Sequence, residues 1–138
     1  MYERYVVAPK ERPKGALAFH NDAAAAPGTP LVLMNQSLVA DADVVVNARI
    51  VEGPPPVSDV APVDLHRHDV SQTYVLLSET PGTLTAELVI ERETFKLASP
   101  ISAFIPAMAR HSLRVTGGPG TVLVVMPLKG DYNEHTFA

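Results

Sequence analysis

Residues 66–77 read His-Arg-His-Asp-Val-Ser-Gln-Thr-Tyr-Val-Leu-Leu, two histidines followed by a run of alternating residues. His66 and His68 are two positions apart, so on a β-strand both side chains point to the same face, roughly 6.6 Å apart along the strand. That spacing lets two imidazoles converge on one cation, whereas an α-helix would place them on different faces. The stretch therefore predicts a strand that carries two candidate metal ligands.

On either side of this stretch the chain consists of short apolar runs separated by turn signals. Thirteen prolines and eight glycines divide it, and the runs between them are rich in β-branched residues that often alternate, which is typical of strands. We predict strands at residues 30–34, 42–51, 63–68, 73–77, 83–90, 94–97, 101–106, 111–115 and 121–126, and one short helix at residues 21–26. Many short strands at regular spacing predict an all-β sandwich or barrel.

Composition narrows the class of protein. A chain of 138 residues, 46% of them hydrophobic, is long enough for one packed domain. The net charge of −4 and the lack of a basic run argue against nucleic-acid binding. The absence of cysteine excludes disulfides, thiolate ligands and a cysteine nucleophile. The N-terminus carries charges and prolines where a signal peptide needs an apolar run, and no apolar run has membrane-spanning length. We therefore expect a cytoplasmic protein that is not bound to a membrane.

Two motifs in the chain resemble those of a small single-domain cupin. The first cupin motif has His-x-His, then a glutamate three or four residues later, and here it reads His66, His68 and Gln72. The second has Pro-x-Gly-x-x-His, and here residues 106–111 read Pro-Ala-Met-Ala-Arg-His. The chain departs from the family pattern at Gln72, where glutamate is usual, and at Met108, where glycine normally relieves backbone strain.

The resemblance implies a fold and a metal site. The fold would be a cupin double-stranded β-helix, a jelly-roll-like barrel, in one domain over residues 1–138. Residues 1–29 would form an N-terminal extension, and residues 63–115 would hold the metal site. The implied metal ligands lie on both motifs: His66, His68, Gln72 and His111.

The expected chemistry follows from Gln72, whose amide oxygen can coordinate a cation but is neutral. Three imidazoles and one amide leave the charge of a divalent cation uncompensated by protein, which makes it a stronger Lewis acid. Such a site suits polarising a carbonyl. Zinc is the metal we favour, and nickel, copper and iron remain open because imidazole-rich sites hold all of them. Manganese is a further alternative.

Within the cupins, three histidines with one glutamine resemble the zinc-dependent aromatic polyketide cyclases and the manganese-dependent hydroxynitrile lyases. The resemblance implies a metal-dependent enzyme that closes rings by an aldol reaction on a small carbonyl-containing substrate. Alternation places Tyr74 on the same face as Gln72, where its phenol could donate a hydrogen bond or a proton. The alternatives are a carbon–carbon lyase, an iron-dependent dioxygenase and a ligand-binding cupin without catalysis. We also expect a homodimer.

Simpler interpretations of the candidate site residues are also open. His66, His68 and His111 could be ordinary core or surface histidines, and Tyr74 an aromatic core residue. Residues expected to be solvated or in an exposed tail are His20, Arg67, Glu87, residues 131–134 and His135. Residues expected to line an apolar cavity are Phe95, Phe104 and Leu113.

Overall fold

The computed structural model describes residues 1–13, 16–18, 28–55 and 64–138. Within these ranges the chain forms eleven strands and two short 3-10 helices. The strands are β1 (Lys10–Glu11), β2 (Thr29–Met34), β3 (Val45–Val51), β4 (Arg67–His68), β5 (Gln72–Leu77), β6 (Thr85–Ile90), β7 (Glu93–Ala98), β8 (Ile101–Ile105), β9 (His111–Gly117), β10 (Gly120–Met126) and β11 (Thr136–Phe137). The 3-10 helices are Glu3–Tyr5 and Tyr132–His135. The described residues contain no helix long and apolar enough to cross a membrane.

The strands lie in two layers. One layer is a six-stranded antiparallel sheet in the order β1-β2-β3-β10-β5-β8. The other contains the sheet β7-β6-β9 and the strand pair β11-β4. An isolated antiparallel bridge between His66 and His111 joins β9 to the chain entering β4. This bridge brings the two sequence motifs side by side.

The core lies between the layers. One cluster of buried residues draws on β3, β5, β8 and β10 of the six-stranded sheet and on β6 and β7 of the other layer. A smaller cluster joins Val45 and Met126 to Leu128 and Tyr132 from the C-terminal segment. Leu76 and Leu88, from opposite layers, are at most 1% exposed. The two sheets therefore face each other across one apolar interior.

Alternation along the strands explains which side chains enter this interior. In β5, Gln72, Tyr74 and Leu76 are buried, whereas the residues between them are less covered and Leu77 is exposed. In β6 the buried positions are Ala86 and Leu88, and Glu87 lies on the opposite face, as expected. A period of two is what a sheet with one covered face requires.

The predicted strands are found, with shifts at their ends. The strand expected at residues 42–51 begins at Val45. Of the strand expected at residues 63–68, only the bridge at His66 and β4 are formed, and residue 63 lies outside the described residues. The helix expected at residues 21–26 also lies outside them. β1 pairs with β2, so part of the predicted N-terminal extension contributes a strand to the large sheet.

Phe95, Phe104 and Leu113 were expected to line an apolar cavity, and this expectation was wrong for the two phenylalanines. Phe104 is 64% exposed, because its neighbours Ala103 and Ile105 occupy the inward positions of β8 and leave it on the outer face. Phe95 is 42% exposed on β7, which is the edge strand of its sheet and has covering strands on one side only. Leu113 packs against the core as expected.

Candidate metal centre

Three histidines from the two motifs meet in the interior. His66, His68 and His111 are each 1% exposed, and their ring centroids lie 4.9, 4.6 and 5.2 Å apart. One nitrogen from each ring can be chosen such that all three lie within 4.8 Å of one another. Alternation along the extended chain that leads from His66 into β4 turns His66 and His68 to one face, and the bridge to His111 supplies the third ring. The sequence motifs therefore converge at one point, as predicted.

Backbone contacts fix which ring nitrogen faces the shared centre. Nδ1 of His66 lies 2.7 Å from the carbonyl oxygen of Asp64, and Nδ1 of His111 lies 2.9 Å from that of Ala109. A carbonyl oxygen only accepts, so each Nδ1 carries the proton and donates it. Nε2 of each ring then carries the lone pair, which is the arrangement found for metal-binding histidines, and Nε2 of His66 also lies 3.4 Å from the Tyr132 hydroxyl.

His68 has the same arrangement with a different partner. Its Nδ1 lies 3.1 Å from the hydroxyl oxygen of Thr136 and 3.3 Å from the carbonyl oxygen of His135. The Thr136 hydroxyl donates to the carbonyl oxygen of Tyr132 at 2.6 Å, so its oxygen is left to accept from His68. The C-terminal segment thus orients the third imidazole.

Burial keeps the imidazoles of His66 and His111 neutral. Desolvation lowers the pKa of His66, against the opposing effect of its hydrogen bond to the Asp64 carbonyl. Desolvation also lowers the pKa of His111 to about 4, against its hydrogen bond to the Ala109 carbonyl. Neutral imidazoles retain the lone pairs that a metal needs.

Gln72 begins β5, is 3% exposed and shares the inward face of that strand with Tyr74. Its amide oxygen and Nε2 of His111 are buried without a hydrogen-bond partner among the described residues. Leaving buried acceptors unpaired is unfavourable by about 1–3 kcal/mol for each group. A divalent cation would satisfy both, so the residues present fit a metal, although coordination by Gln72 itself stays a prediction.

Tyr74 lies beside the histidine cluster. It is 5% exposed, and its ring meets that of His111 at 6.1 Å between centroids in a T-shaped arrangement. Burial raises the pKa of Tyr74, and a contact with the Gln72 side chain works in the opposite direction. The phenol therefore stays protonated at neutral pH and is a hydrogen-bond donor. Its catalytic role stays a prediction.

The structure adds one residue that sequence reasoning missed. Residues 131–134 were expected to be an exposed tail, but Tyr132 is buried, with its ring centroid 5.0 Å from that of His68 and its hydroxyl 3.4 Å from Nε2 of His66. Asp131 caps the short helix by accepting from the Asn133 N–H. The polar run Asp-Tyr-Asn-Glu misled the prediction, and the only local signal was an aromatic residue next to a capping aspartate.

Contacts at the C-terminus correct a second expectation. His135 was expected to be solvated, but its Nδ1 lies 2.8 Å from the carboxylate of Asp69 and the side chain is partly covered. This contact ties the C-terminal segment to the loop that follows His68. His20 lies outside the described residues.

The loop before His111 shows why the second motif favours glycine. Met108 has φ of +69°, the left-handed conformation that glycine adopts without strain and methionine does not. Its N–H donates to the carbonyl oxygen of His68 at 2.6 Å, so the strained turn anchors one motif to the other. The Met108 side chain is 46% exposed.

Comparison with known proteins gives similar structures but no similar family model. No family model matches the chain, and no curated protein does either. A cupin 2 conserved barrel domain protein from Rhodopseudomonas palustris is 17% identical with a TM-score of 0.52, over 87% of this chain and 70% of that one. A protein from Planctomyces limnophilus is 16% identical with a TM-score of 0.54, over 96% and 98%.

An enzyme is also among the similar structures. Oxalate decarboxylase from Bacillus subtilis is 14% identical with a TM-score of 0.55, and the match covers 81% of this chain and 28% of that one. At these identities a likeness shows the fold alone. Taken with the two facing sheets and the convergence of both motifs, it establishes that this chain has the all-β, jelly-roll fold of the cupins.

Proposed function

We propose that the chain is a metal-dependent cupin enzyme acting on a small carbonyl-containing molecule, and that the reaction is an aldol-type ring closure of the polyketide cyclase kind. One observation carries the proposal: three buried imidazoles each offer one ring nitrogen within 4.8 Å of the other two, with each Nδ1 near a backbone or hydroxyl oxygen. Such an arrangement is prepared for a cation before the cation binds.

His66, His68 and His111 would hold the metal, together with the Gln72 amide oxygen. Zinc suits these donors, and when bound it supplies Lewis acidity that draws electrons from a carbonyl oxygen. None of these ligands carries a negative charge to weaken that effect.

The side chains around the cluster have separate tasks in this proposal. The Tyr74 phenol, which burial keeps protonated, donates a hydrogen bond to the substrate oxygen that gains charge as the new carbon–carbon bond forms. The Tyr132 ring packs against His68 and keeps bulk water from that side of the cluster. Excluding water would strengthen the interactions of the substrate with the metal and with the Tyr74 phenol.

The comparison with oxalate decarboxylase supports an enzyme in general. That protein is a decarboxylase, and the match covers 28% of its chain. The narrower proposal of a cyclase rests on the neutral donor set of this chain and on the resemblance of its motifs.

Metal analysis tests the proposal at its base. We expect protein purified without a histidine tag to contain about one equivalent of zinc, and the variants His66→Ala, His68→Ala and His111→Ala to lose it. The matched control is His135→Ala, a partly covered histidine outside the cluster, which should keep its metal. Stoichiometric metal in every variant would disprove the ligand set.

Turnover separates the candidate reactions. The zinc protein should convert a 1,5-diketone to its cyclic aldol product without consuming oxygen, with the C–H proton of the attacking carbon ending on the new hydroxyl. Oxygen uptake by an iron-containing preparation would instead indicate a dioxygenase. Cleavage of a cyanohydrin to aldehyde and cyanide would indicate a hydroxynitrile lyase.

We also propose a homodimer formed through the outer face of the six-stranded sheet. Outward positions on the adjacent strands β3, β10, β5 and β8 that are not already buried carry no charge: Val46, Ile50, Thr73, Val75, Leu77, Ser102, Phe104, Thr121, Leu123 and Val125. A second copy could cover this face without burying a charge. Sedimentation velocity should show a dimer that Phe104→Glu dissociates, whereas Glu87→Lys on the other layer leaves it intact; a monomeric wild type would refute the proposal.

A further inference from the structure

The Tyr132 hydroxyl reaches the histidine cluster from the C-terminal segment. It lies 3.4 Å from Nε2 of His66, and the ring lies 5.0 Å from that of His68 in a T-shaped arrangement. Nδ1 of His66 donates to the Asp64 carbonyl oxygen, so Nε2 carries the lone pair and the phenol is the donor of this contact. A separation of 3.4 Å is long for a hydrogen bond, so the hydroxyl is held only loosely at this nitrogen.

The backbone around Tyr132 is fixed more firmly than its hydroxyl. The Thr136 hydroxyl donates to the Tyr132 carbonyl oxygen at 2.6 Å. The Asn133 side chain accepts from the Ala18 N–H at 2.7 Å and donates to the Ala16 carbonyl oxygen at 2.8 Å, which ties the short helix to the N-terminal part of the chain. The Tyr132 ring belongs to the smaller core cluster. A donor on such a fixed support needs little rearrangement to meet a ligand.

A second phenol reaches the cluster from another element. Tyr74, on β5, contacts the ring of His111, whereas Tyr132 contacts the other two histidines. Burial and the nearby Tyr74 raise the pKa of Tyr132, with the charge of Arg12 acting against them, and burial also raises the pKa of Tyr74. Both phenols therefore keep their protons at neutral pH, and two hydrogen-bond donors border the cluster.

The nitrogen that the Tyr132 hydroxyl contacts is the one through which His66 would hold a cation. The phenol gives up this acceptor when the lone pair is used for a cation. The hydroxyl then borders the coordination shell, where a negatively charged oxygen of a bound molecule is the strongest acceptor within its reach. Hydrogen bonds to charged acceptors are about twice as strong as those between neutral groups.

We propose that the Tyr132 hydroxyl is a second hydrogen-bond donor of the site, which donates to an anionic oxygen of the molecule bound at the histidine cluster. The ligands that it favours are carboxylates and enolates, whose charged oxygen accepts strongly. In the proposed reaction Tyr132 shares with Tyr74 the stabilisation of the substrate oxygen that gains charge. This inference rests on the proposed function, because it takes the cluster as the place where the cation and the substrate oxygen bind.

The test compares the binding of two small anions to the metal-loaded full chain. Acetate and bromide both bind divalent cations, but only acetate offers a charged oxygen that accepts a strong hydrogen bond. Zinc has a full d shell and no visible absorption, so cobalt is loaded in its place and its absorption reports each anion as it binds. Tyr132→Phe removes the hydroxyl and keeps the ring. We expect acetate to bind this variant about tenfold more weakly than wild type, and bromide to bind both proteins alike.

Two controls separate a donor from a residue that only supports the fold. Tyr5→Phe removes a phenol that contacts Asp41 at the surface, and it should bind acetate like wild type. Thermal unfolding should show that Tyr132→Phe is folded, and its cobalt content should equal that of wild type. A loosened site would weaken both anions, so equal losses for acetate and bromide would overturn the donor role.

The remaining outcomes separate this inference from the proposed function. Equal acetate affinity in wild type and Tyr132→Phe, or no acetate binding by wild type, would overturn the inference and leave the metal centre in place. Loss of cobalt from the variant, or a changed cobalt spectrum before any anion is added, would also overturn it, since the phenol would then serve the cation itself. A wild-type chain that binds no cobalt would refute the metal centre and this inference with it.

Discussion

Acidification should lower the free energy of unfolding of the metal-free protein, because its histidines are buried. Burial lowers the pKa of His111 from the ordinary value of 6.5 to about 4. Between these values the unfolded chain binds a proton at this position and the folded chain does not, so acid favours the unfolded state. A pKa shift of this size corresponds to about 3 kcal/mol in the free energy of unfolding. This stability is present in full above pH 6.5 and is lost as the pH falls to 4. The lowered pKa of His66 acts in the same direction.

Guanidinium unfolding followed by circular dichroism, in the presence of a chelator and at several pH values from 7.5 to 4, measures this loss. Carboxylates also titrate at the acid end, so the informative quantity is the difference between wild type and His111→Asn, whose side chain does not titrate. The variant should lose less stability than wild type over this interval, by about 3 kcal/mol.

Equal losses in wild type and His111→Asn would refute the assignment of a buried neutral imidazole. Saturating zinc provides a further check, because a metal that binds only the folded state stabilises it and competes with protons for the same nitrogen atoms. The stabilisation by zinc should be largest above pH 6.5 and should shrink on acidification.

Three further predictions concern stability, each measured by chemical unfolding at pH 7.5. Met108→Gly should stabilise the protein by up to about 1 kcal/mol, because it relieves the left-handed backbone at an exposed position; no change or a loss would contradict this. Tyr132→Phe keeps the ring on His68 and should change the free energy of unfolding by less than about 1 kcal/mol. Tyr132→Ala removes the ring and should destabilise the protein by about 3–5 kcal/mol, and equal effects of the two variants would mean that the ring is not packed. Leu88→Ala, at the centre of the core, should destabilise by about 2–5 kcal/mol, and a loss below 1 kcal/mol would be inconsistent with that position.

Local pattern predicted the strands and the meeting of the two motifs. Alternation placed Gln72 and Tyr74 on the inward face of β5, and the spacing of His66 and His68 placed both imidazoles on one side of the chain that enters β4. These predictions succeeded because each depends on neighbours within a few residues. The convergence of His111 on the pair came instead from the resemblance of the motifs, since nothing local specifies a bridge between residues 45 positions apart.

Contacts from the C-terminal segment were beyond the reach of the same reasoning. Thr136 pairs with His68 and Tyr132 packs on it, across about half of the chain, and both belong to a segment with a polar, tail-like composition. The exposure of Phe104 is a different case, because alternation through Ala103 and Ile105 was sufficient to place it outside. Phe104 was assigned to the interior because it is aromatic, whereas its position in β8 determines that it faces outward.

The neutrality of the site connects its stability to its proposed chemistry. The imidazoles of His66 and His111 are held neutral by burial, and Gln72 supplies an amide where related motifs have a carboxylate. A carboxylate at a position only 3% exposed would need a compensating cation even in the metal-free protein, whereas an amide does not. The chain can therefore fold with these donors uncharged at neutral pH. The same absence of ligand charge would leave a bound cation free to act on a carbonyl, so one choice of residue serves both folding and Lewis acidity.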